Sequence, residues 1–387
     1  MSIIFIKRII SIALVTIMLT AFCLPIHAEK SEDKNPMDFD CKSAILIDAT
    51  TGTVLYEKNA DQALPPASVT KIMTLLLVME EIEKGALNYN DMISTSSYAA
   101  SMGGSQIYLK EGEQMTALDM IKSVVIASAN DAAVALAEHI CGSEEAFVKR
   151  MNEKAKSLGM ANTYFENTNG LDDTTSKHLT SARDIAIMSR ELIKYEKILE
   201  FSSTWMDTVR NGEFGLTNTN RLVRFFKGAT GLKTGSTARA KFCVSATAKR
   251  DNMHLICVIM GAPSSDTRNS IATQLLNWGF ANFELYEDED TELLPIKVNS
   301  GKERLCNISS NSFSCIVKKG QSKNITKKIS LPEFVQAPLE KGETIGAVEY
   351  YLNNEIIGKS EIISDINVEK IEYWDLFVRI LSKFLIK

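Results

Sequence analysis

The sequence contains few histidines and lacks the short motifs of several enzyme classes. Among 387 residues there are four histidines and no GxSxG motif, which leaves little basis for a serine–histidine–aspartate site. There is no CxxC pair and no cysteine–histidine cluster with metal-ligand spacing. A glycine-rich nucleotide loop is also missing, and no internal repeat is visible. Without such a loop or a metal-ligand cluster, we expect neither a cofactor nor a bound metal.

The chain also lacks an excess of basic residues. It has 43 basic and 48 acidic side chains, a formal net charge of −5, which argues against nucleic acid as a partner. Residues 1–28 are typical of a secretory signal peptide, because two basic residues precede an apolar run over residues 9–22 and the small residue Ala28 follows. The run is shorter than the roughly 20 residues that cross a bilayer, so a retained anchor is the weaker alternative. We expect cleavage after Ala28 and an exported protein.

Six cysteines lie beyond the predicted signal peptide, and they do not form a recognisable framework. Their positions are 41, 141, 243, 257, 306 and 315. Most are expected to be buried small apolar residues. Cys306 and Cys315 flank a predicted turn, so a disulfide between them is the one pairing we consider, and two free thiols are the alternative.

Residues 29–285 alternate between strand and helix patterns. Two apolar runs around a Thr-Thr-Gly turn, in SAILIDATTGTVLYEKNA, predict one β-hairpin, and KFCVSATAKR and NMHLICVIMGA around an Asp-Asn turn predict another. The predicted helices cover residues 72–82, which are apolar on all sides, 120–127, 131–141, 181–195 with Ser181 or Thr180 as the cap, and 269 to about 285. Strands at both ends with helices between them predict an α+β domain around an antiparallel sheet.

The composition changes after residue 290. Short β-like runs broken by glycine, asparagine and serine predict a separate small all-β domain over residues 290–365. Residues 366–387 predict an amphipathic helix, which in an exported protein with aromatic residues near the helix start favours a membrane interface over docking on the protein itself. Its apolar face holds Trp374, Phe377, Leu381 and Phe384, and its basic face holds Arg379, Lys383 and Lys387.

Ser68 precedes Lys71 by one helical turn, at the start of the apolar helix 72–82. A serine hydroxyl needs a base to become a nucleophile, and a lysine can be that base when burial and a nearby cation lower its pKa. Residues three apart share one helix face, and the helix N-terminus adds N–H donors for an oxyanion. Ser68 and Lys71 are therefore the predicted nucleophile and base. The same SxxK spacing recurs at Ser31 and Lys34, so this motif alone is weak.

Two further motifs make the pattern more specific. A SAN motif at residues 128–130 lies between two predicted buried helices, and a KTG motif at residues 233–235 is predicted to open a strand. SxN occurs elsewhere in the chain, but KTG occurs once. SxxK, SxN and KTG in this order are a strong signal for serine chemistry that uses a lysine base.

The three histidines beyond the signal peptide do not offer a better base. His139 ends an apolar helix and His254 lies in a predicted strand, so we expect both to be structural. His178 lies in a polar loop before a helix cap, and we expect it to be solvent-exposed or to act as a cap. A Ser-His-Asp enzyme is therefore disfavoured.

With these motifs, residues 43–283 resemble the serine D-alanyl-D-alanine carboxypeptidases among the penicillin-binding proteins. The similarity runs through ALPPASVTKIMT, SANDAAVALAE, NTNGLDD, SARDIA and GLKTGSTARAKFCVSATA, and the β segment and amphipathic tail are also similar to that family. The resemblance implies a penicillin-binding, β-lactamase-like catalytic domain over residues 29–285, a small second domain and a membrane anchor. It also implies removal of the terminal D-alanine from peptidoglycan stem pentapeptides, covalent inhibition by β-lactams, and a location at the outer face of the cytoplasmic membrane.

The resemblance implies a role for each motif residue as well. Ser68 would be acylated by the penultimate D-alanine carbonyl, with Lys71 as the base and Ser128 as a proton relay to the leaving amine. The backbone N–H groups of Ser68 and Ser236 would form the oxyanion hole. The implied substrate-binding residues are Asn130, Lys233, Thr234, Gly235, Ser236 and Arg268.

Some positions depart from the family pattern and leave alternatives open. Family members can have a histidine where this chain has Ser236, and the residue that completes the carboxylate site is open between Arg268 and Arg239. A β-lactamase of the same fold would need a carboxylate to activate water, but the spacing of Glu166 differs from that pattern, so we expect Glu166 and Asp172 to be structural. A non-catalytic muropeptide-binding protein is a further alternative, although a pure binder does not need a lysine base.

Overall fold

The computed structural model describes residues 37–172, 175–288 and 291–385. The predicted signal peptide, residues 1–28, lies outside the described residues, as do Lys387 and the side chains of Lys383 and Phe384. The helices are a 3-10 helix Ala67–Thr70, α1 Lys71–Glu83, α2 Ser97–Ala100, α3 Ala117–Lys122, a π-helix Ser123–Ala127, α4 Asn130–Cys141, α5 Glu144–Ser157, α6 Ala182–Leu192, α7 Glu196–Ser203, α8 Leu222–Phe225, α9 Ser265–Asn282, a 3-10 helix Ser322–Asn324 and α10 Tyr373–Leu385. The strands are β1 Ser43–Asp48, β2 Val54–Lys58, β3 Met92–Ser94, β4 Gln114–Thr116, β5 Met206–Val209, β6 Phe214–Thr217, β7 Ala229–Thr237, β8 Lys241–Arg250, β9 Met253–Ala262, β10 Phe283–Asp288, β11 Ile296–Asn299, β12 Leu305–Cys306, β13 Ile308–Ser310, β14 Phe313–Lys318, β15 Ile325–Ser330, β16 Phe334–Gln336, β17 Thr344–Leu352 and β18 Glu355–Ser364.

The predicted antiparallel sheet has five strands in the order β2-β1-β9-β8-β7. Both predicted hairpins are present, β1 with β2 and β8 with β9. Strand β7 is at the edge of the sheet, and it packs against the 3-10 helix Ala67–Thr70. The α+β architecture is therefore confirmed, and its edge strand lies beside Ser68.

Helices cover both faces of the sheet. Gly279 of α9 lies so close to the sheet that a Cβ there would be 2.7 Å from Leu255 and 3.0 Å from Leu46. Because successive residues of a strand point to opposite faces, Ile47 and Ile256 lie on the other face, within the core that the remaining helices share. Burial on both faces explains why β9 is apolar almost throughout rather than alternating.

The last helix of this domain differs from its prediction at both ends. Helix α9 begins at Ser265 rather than Asn269, because the Ser264 side chain accepts a hydrogen bond from Thr267 N at 3.0 Å and caps the helix. It ends at Asn282, and Phe283 is already extended. Strand β10, which starts there, pairs with β14 of the second domain.

The second domain has its own sheets and its own small core. Four strands pair in the order β13-β18-β17-β15, and β12-β11-β16 form another sheet. Tyr350 is fully buried at the centre of this core, where it stacks on Phe313 at 3.9 Å and donates a hydrogen bond to Asp288 at 2.7 Å. Cys306 and Cys315 are free thiols, so the disulfide that we considered is absent between these two described residues.

The predicted amphipathic helix is present as α10, but it begins at Tyr373 and not at residue 366, because Val368 forms a β-bridge with Leu339 and is buried in the core of the second domain. Its apolar side chains are exposed, with Trp374 70% and Phe377 48% accessible. Arg379 contacts the second domain by donating to the backbone carbonyl of Lys302. Within the described residues, no helix is both long enough and apolar enough to cross a membrane.

Candidate active site

Ser68 lies in the short 3-10 helix Ala67–Thr70, directly before α1. Its neighbour Ala67 has a φ of 49°, which is uncommon for a residue other than glycine. The predicted pairing of residues three apart is present, because Lys71 Nζ lies 3.0 Å from Ser68 Oγ. Ser68 is half-buried, whereas Lys71 is fully buried.

The amine of Lys71 has three hydrogen-bond partners. It lies 3.0 Å from Ser68 Oγ, 2.5 Å from Asn130 Oδ1 and 2.8 Å from the backbone carbonyl of Asn169. Asn130 Nδ2 donates to the carbonyl of Gly103 at 2.7 Å, which fixes the orientation of the amide. The structure therefore brings Ser68, Lys71 and Asn130 of the SAN motif together.

Burial and two neighbouring charges act on Lys71. Burial lowers the pKa of Lys71 well below its ordinary value, and the positive charge of Lys233 lowers it further. Asp131 opposes this effect, but its carboxylate already accepts hydrogen bonds from the N–H groups of Ile107 and Leu109 at 3.1 and 3.0 Å. Burial and the charge of Lys233 thus shift Lys71 towards the neutral amine, and that form has a lone pair that can accept the Ser68 proton.

The SAN motif forms the turn between the π-helix Ser123–Ala127 and α4. Ser128 has left-handed backbone angles (φ 63°, ψ 30°) and is almost fully buried. Asn130 begins α4, and its N–H donates to the carbonyl of Ser105 at 2.7 Å. Among the described residues, Lys71 is hydrogen-bonded to Asn130 and not to Ser128.

We had predicted that the KTG motif opens a strand. In the structure it lies inside edge strand β7. The strand begins four residues earlier, at Ala229, because this stretch continues the ladder with β8. A Cβ on Gly235 would lie 2.8 Å from Ser68 N and 2.9 Å from the carbonyl of Pro66. Only glycine lets the strand approach the 3-10 helix Ala67–Thr70 this closely. Because this helix carries Ser68, we call it the nucleophile helix.

Lys233 and Thr234 lie next to this contact. Burial, and then the charge of Arg268, lower the pKa of Lys233 to about 7. Lys233 Nζ donates to the carbonyl of Thr234 at 3.0 Å, and Thr234 Oγ1 donates to Thr219 Oγ1 at 2.7 Å. Ser236, which follows the motif directly, is exposed.

The two candidate arginines occupy different environments. Arg268 is buried, with its guanidinium 3.4 Å from the carbonyl of Cys243, and its charge acts on Lys233. Arg239 is exposed and donates to the carbonyl of Thr175 at 3.0 Å. Arg268 is therefore the candidate with an electrostatic link to the KTG lysine.

The acidic residues of the 165–172 segment accept hydrogen bonds from other protein groups, one within the same loop and one on strand β7. Glu166 accepts a hydrogen bond from Lys177 N at 2.8 Å, and Asp172 accepts one from Thr237 Oγ1 at 2.5 Å. The prediction for His178 is wrong: only 2% of this residue is exposed, because the loop that carries it folds over the nucleophile helix. Its polar sequence neighbours gave no sign of that burial.

Two groups that contact the lysine and its partner were not predicted. The backbone carbonyls of Asn169 and Gly103 hold Lys71 and Asn130, respectively. Every residue type carries a backbone carbonyl, so residue types cannot reveal such contacts. The one indication in the sequence was the NTNG stretch around Asn169, which is similar to the family. Within residues 37–172, 175–288 and 291–385, no group of three or more His, Cys, Asp or Glu is arranged to hold a metal ion.

Comparison with known proteins supports the resemblance over most of the chain. The profile of the family described as D-alanyl-D-alanine carboxypeptidase matches residues 28–264, and that of the penicillin-binding protein 5 C-terminal domain matches residues 280–370. The D-alanyl-D-alanine carboxypeptidase DacF of Bacillus subtilis is 43% identical over 374 residues, which cover 94% of this chain and 95% of that protein. DacC of Escherichia coli is 34% identical, over 86% of this chain and 85% of that protein.

Solved structures show the same fold. Penicillin-binding protein 5 of Haemophilus influenzae matches with a TM-score of 0.76 and 31% identity, over 86% of this chain and 98% of that chain. Penicillin-binding protein 6B of Escherichia coli matches with a TM-score of 0.70 and 29% identity, over 84% and 95%. These names support the carboxypeptidase prediction over the β-lactamase and non-catalytic alternatives. The chain belongs to the D-alanyl-D-alanine carboxypeptidases of peptidase family S11, and it is a serine hydrolase with a penicillin-binding protein 5-like fold.

Proposed function

We propose that this enzyme removes the terminal D-alanine from peptidoglycan stem pentapeptides through an acyl-enzyme on Ser68. The observation that carries the proposal is the buried amine of Lys71, 3.0 Å from the half-buried Ser68 hydroxyl. A neutral lysine amine has two hydrogens and one lone pair. In that neutral form both hydrogens have acceptors, in Asn130 Oδ1 and the Asn169 carbonyl, which leaves the lone pair for the Ser68 hydroxyl.

This arrangement supports the following acylation step. Lys71 takes the Ser68 proton while Ser68 Oγ bonds to the penultimate D-alanine carbonyl carbon. The N–H groups of Ser68 and Ser236 receive the oxyanion, which typically lowers the barrier by about 3 kcal/mol per donor. The proton held by Lys71 then passes to the leaving nitrogen, with the Ser128 hydroxyl as the relay that the family resemblance implies, the C–N bond breaks, and D-alanine departs.

Substrate recognition uses the residues of strand β7 that line the site. Lys233 and Thr234 meet the terminal carboxylate, and the buried Arg268, whose charge acts on Lys233, adds positive charge near them. One hydrogen of Asn130 Nδ2 is used by Gly103, which leaves the other for the substrate amide carbonyl. The close backbone approach at Gly235 keeps this strand in reach of the acyl carbon.

Deacylation needs only water and the same lysine. Lys71 takes a proton from water as its oxygen attacks the acyl carbonyl, and the proton returns to Ser68 Oγ as the ester bond breaks. A β-lactam carbonyl presents the same electrophile, and one structural relative, penicillin-binding protein D2 of Listeria monocytogenes, is described in an ampicillin-bound form. We therefore propose that β-lactams acylate Ser68 of this chain as well.

The experiment that tests this function measures free D-alanine from a stem pentapeptide that ends in D-Ala-D-Ala. The protein lacking residues 1–28 is compared with its Ser68→Ala variant, which should release no D-alanine. Ser31→Ala, at the second SxxK match, is the control and should release D-alanine at the unchanged rate. Mass spectrometry after penicillin treatment should place the adduct on Ser68.

Other outcomes would support the alternatives. Fast turnover of a chromogenic cephalosporin, with little D-alanine release, would favour a β-lactamase. Peptide binding that is unchanged in Ser68→Ala, with neither release nor penicillin adduct in the unmodified enzyme, would favour a non-catalytic muropeptide-binding protein.

The C-terminal helix supports attachment to a membrane surface. We propose that the exported enzyme lies at the outer face of the cytoplasmic membrane, with the apolar face of α10 in the lipid interface. Helix α10 exposes a continuous set of large apolar side chains that no described segment covers. That set comprises Tyr373, Trp374, Leu376, Phe377, Val378, Ile380 and Leu381.

Flotation with anionic lipid vesicles tests this attachment. The protein lacking residues 1–28 should float with the vesicles, and Trp374→Glu combined with Phe377→Glu should abolish flotation. Leu305→Glu is the matched control, because Leu305 is an exposed apolar residue of the second domain outside the helix. Flotation that survives the double change would contradict the proposed attachment.

A further inference from the structure

His178 lies beneath the nucleophile helix, and both of its ring nitrogens have partners. Its Nε2 is 2.8 Å from Thr70 Oγ1, and its Nδ1 accepts a hydrogen bond from Glu166 N at 3.0 Å. The edge of the ring also packs on Phe165, with centroids 5.7 Å apart. His178 thus bridges the helix that carries Ser68 and the 165–172 segment, and the hydrogen bond from Thr74 Oγ1 of α1 to the Thr168 carbonyl at 2.6 Å is a second link.

The contacts define one tautomer of the ring. Thr70 Oγ1 donates its single hydrogen to the carbonyl of Ala67 at 2.8 Å, so it must accept a hydrogen from His178 Nε2. Nδ1 accepts from Glu166 N and therefore carries no hydrogen. The result is a continuous chain of hydrogen bonds from Glu166 N–H through a neutral His178 and Thr70 to the Ala67 carbonyl.

Both ends of this chain of hydrogen bonds lie close in sequence to residues of the site. Ala67 holds a left-handed backbone conformation immediately before Ser68, and Thr70 is the residue immediately before Lys71. On the other side, Glu166 belongs to the segment whose Asn169 carbonyl accepts from Lys71 Nζ. A displacement at His178 would therefore move both the nucleophile and a partner of its base.

The close contact between the two sides leaves little freedom for adjustment. Gly170 (φ 84°) lies so near the nucleophile helix that a Cβ would be 1.9 Å from the Ala67 carbonyl oxygen and 2.8 Å from Thr70 Oγ1. The 165–172 segment is thus held against the helix by direct packing at Gly170 and by the ring of His178.

We propose that His178 is a positioning residue for acylation: as a neutral Nε2–H tautomer it locks the 165–172 segment to the nucleophile helix and so sets the Ser68–Lys71–Asn169 geometry. This inference rests on the proposed function of Ser68 and Lys71. It assigns His178 no contact with substrate and no proton transfer in the reaction.

The charges around the ring agree with a neutral histidine. Burial lowers the pKa of His178 to about 4, against the opposing negative charges of Glu166 and Asp172, and Arg239 lowers it further. Protonation would place a hydrogen on Nδ1 that faces the N–H of Glu166. The hydrogen bonds of His178 to Thr70 and Glu166 should therefore persist at neutral pH and be lost only in acid.

The test compares second-order rate constants for acylation by a fluorescent penicillin. His178→Asn can keep a partner for Glu166 N but is too short to reach Thr70, and Thr70→Val removes the hydroxyl without changing the side-chain shape. Each should lower the rate constant about 10-fold to 100-fold, as expected for misplacement of reacting groups. The double variant should lose little more than either single one, because both changes break the same chain of contacts.

His254→Asn is the matched control. His254 is a half-buried histidine whose pKa is also lowered to about 4, and its Nε2 lies 3.1 Å from a threonine hydroxyl, Thr230. It lies on β9, away from the nucleophile helix, so the variant should lower the melting temperature without lowering the acylation rate. Equal rate losses in His178→Asn and His254→Asn, or fully additive losses with Thr70→Val, would overturn the proposal.

A ligand-free measurement separates this inference from the proposed function. The pH titration of Lys71 Nζ is followed by nitrogen-15 NMR in lysine-labelled protein. In His178→Asn the segment that carries Asn169 should move away from Lys71 and let water reach the amine. The pKa of Lys71, which burial lowers, should therefore rise. An unchanged midpoint would overturn the role of His178, whereas the absence of any penicillin adduct on the unmodified enzyme would instead overturn the role of Ser68.

Discussion

Gly235→Ala adds one methyl group between strand β7 and the helix that carries the nucleophile. The new Cβ would lie 2.8 Å from Ser68 N, 2.9 Å from the Pro66 carbonyl and 3.0 Å from Val69 N. Ordinary contact begins at 3.4 Å, so the strand and the helix must separate by about 0.6 Å. All three neighbours are backbone atoms, so no side-chain rotation can relieve the contact.

The expected effects follow from that displacement. Overpacking of this kind usually costs about 1–3 kcal/mol, which corresponds to a fall in melting temperature of roughly 3–10 °C for a domain of this size. Acylation should fall by roughly 10-fold to 100-fold, because the added methyl group crowds the Ser68 N–H and shifts Ser68 from the KTG strand. The two losses should therefore be of similar size in free energy, because a 10-fold to 100-fold fall in rate corresponds to about 1.4–2.7 kcal/mol of barrier height.

The assay measures the rate constant for acylation by fluorescent penicillin at a temperature well below the melting point of every variant. Gly215→Ala is the matched control, because Gly215 is also a strand glycine, but a Cβ added there would have no atom within 4 Å. Acylation of Gly235→Ala at the rate of Gly215→Ala would refute the argument that β7 must lie against Ser68.

Three further predictions concern stability. Lys233→Met should flatten the rise in stability between pH 7 and pH 10, because the native pKa of about 7 lies below the unfolded value and the unfolded chain binds more protons in that window; urea titrations measure this slope. His178 has a native pKa of about 4, below its ordinary value of 6.5, so the unfolded chain binds more protons between these two pH values and stability should fall as the pH is lowered through this window. His178→Asn should lessen that fall. Tyr350→Phe should destabilise the second domain by about 1–3 kcal/mol in calorimetry, because buried Asp288 loses a hydrogen-bond donor, whereas Tyr351→Phe should have a smaller effect.

Elements that depend on near neighbours in the sequence were predicted well. Ser181 caps helix α6 by accepting from Asp184 N at 3.1 Å, as its position before an amphipathic stretch indicated. The spacing of Ser68 and Lys71 predicted their contact, because three residues make about one helical turn. Such features need no knowledge of the rest of the fold.

Predictions failed where a long-range contact overrides the local pattern. The residues after Asn282 have enough helical character to extend α9, but Phe283 enters a strand because its pairing partner, Lys318, lies in the second domain. His178 is surrounded by polar residues, yet the loop that carries it folds onto Thr70, 108 positions earlier. Neither partner can be identified from the neighbouring sequence.

The sequence by itself determined the chemistry of this protein: the types and order of the SxxK, SxN and KTG residues, the local caps and hairpins, and the family to which they are similar. The tertiary structure alone decided how those groups act on one another. It placed Lys233 near enough to lower the pKa of Lys71, and it brought the carbonyl of Asn169 to an amine 98 positions away. The physical reason is that burial, charge coupling and backbone contacts depend on distances in space, which residue type and spacing along the chain do not specify.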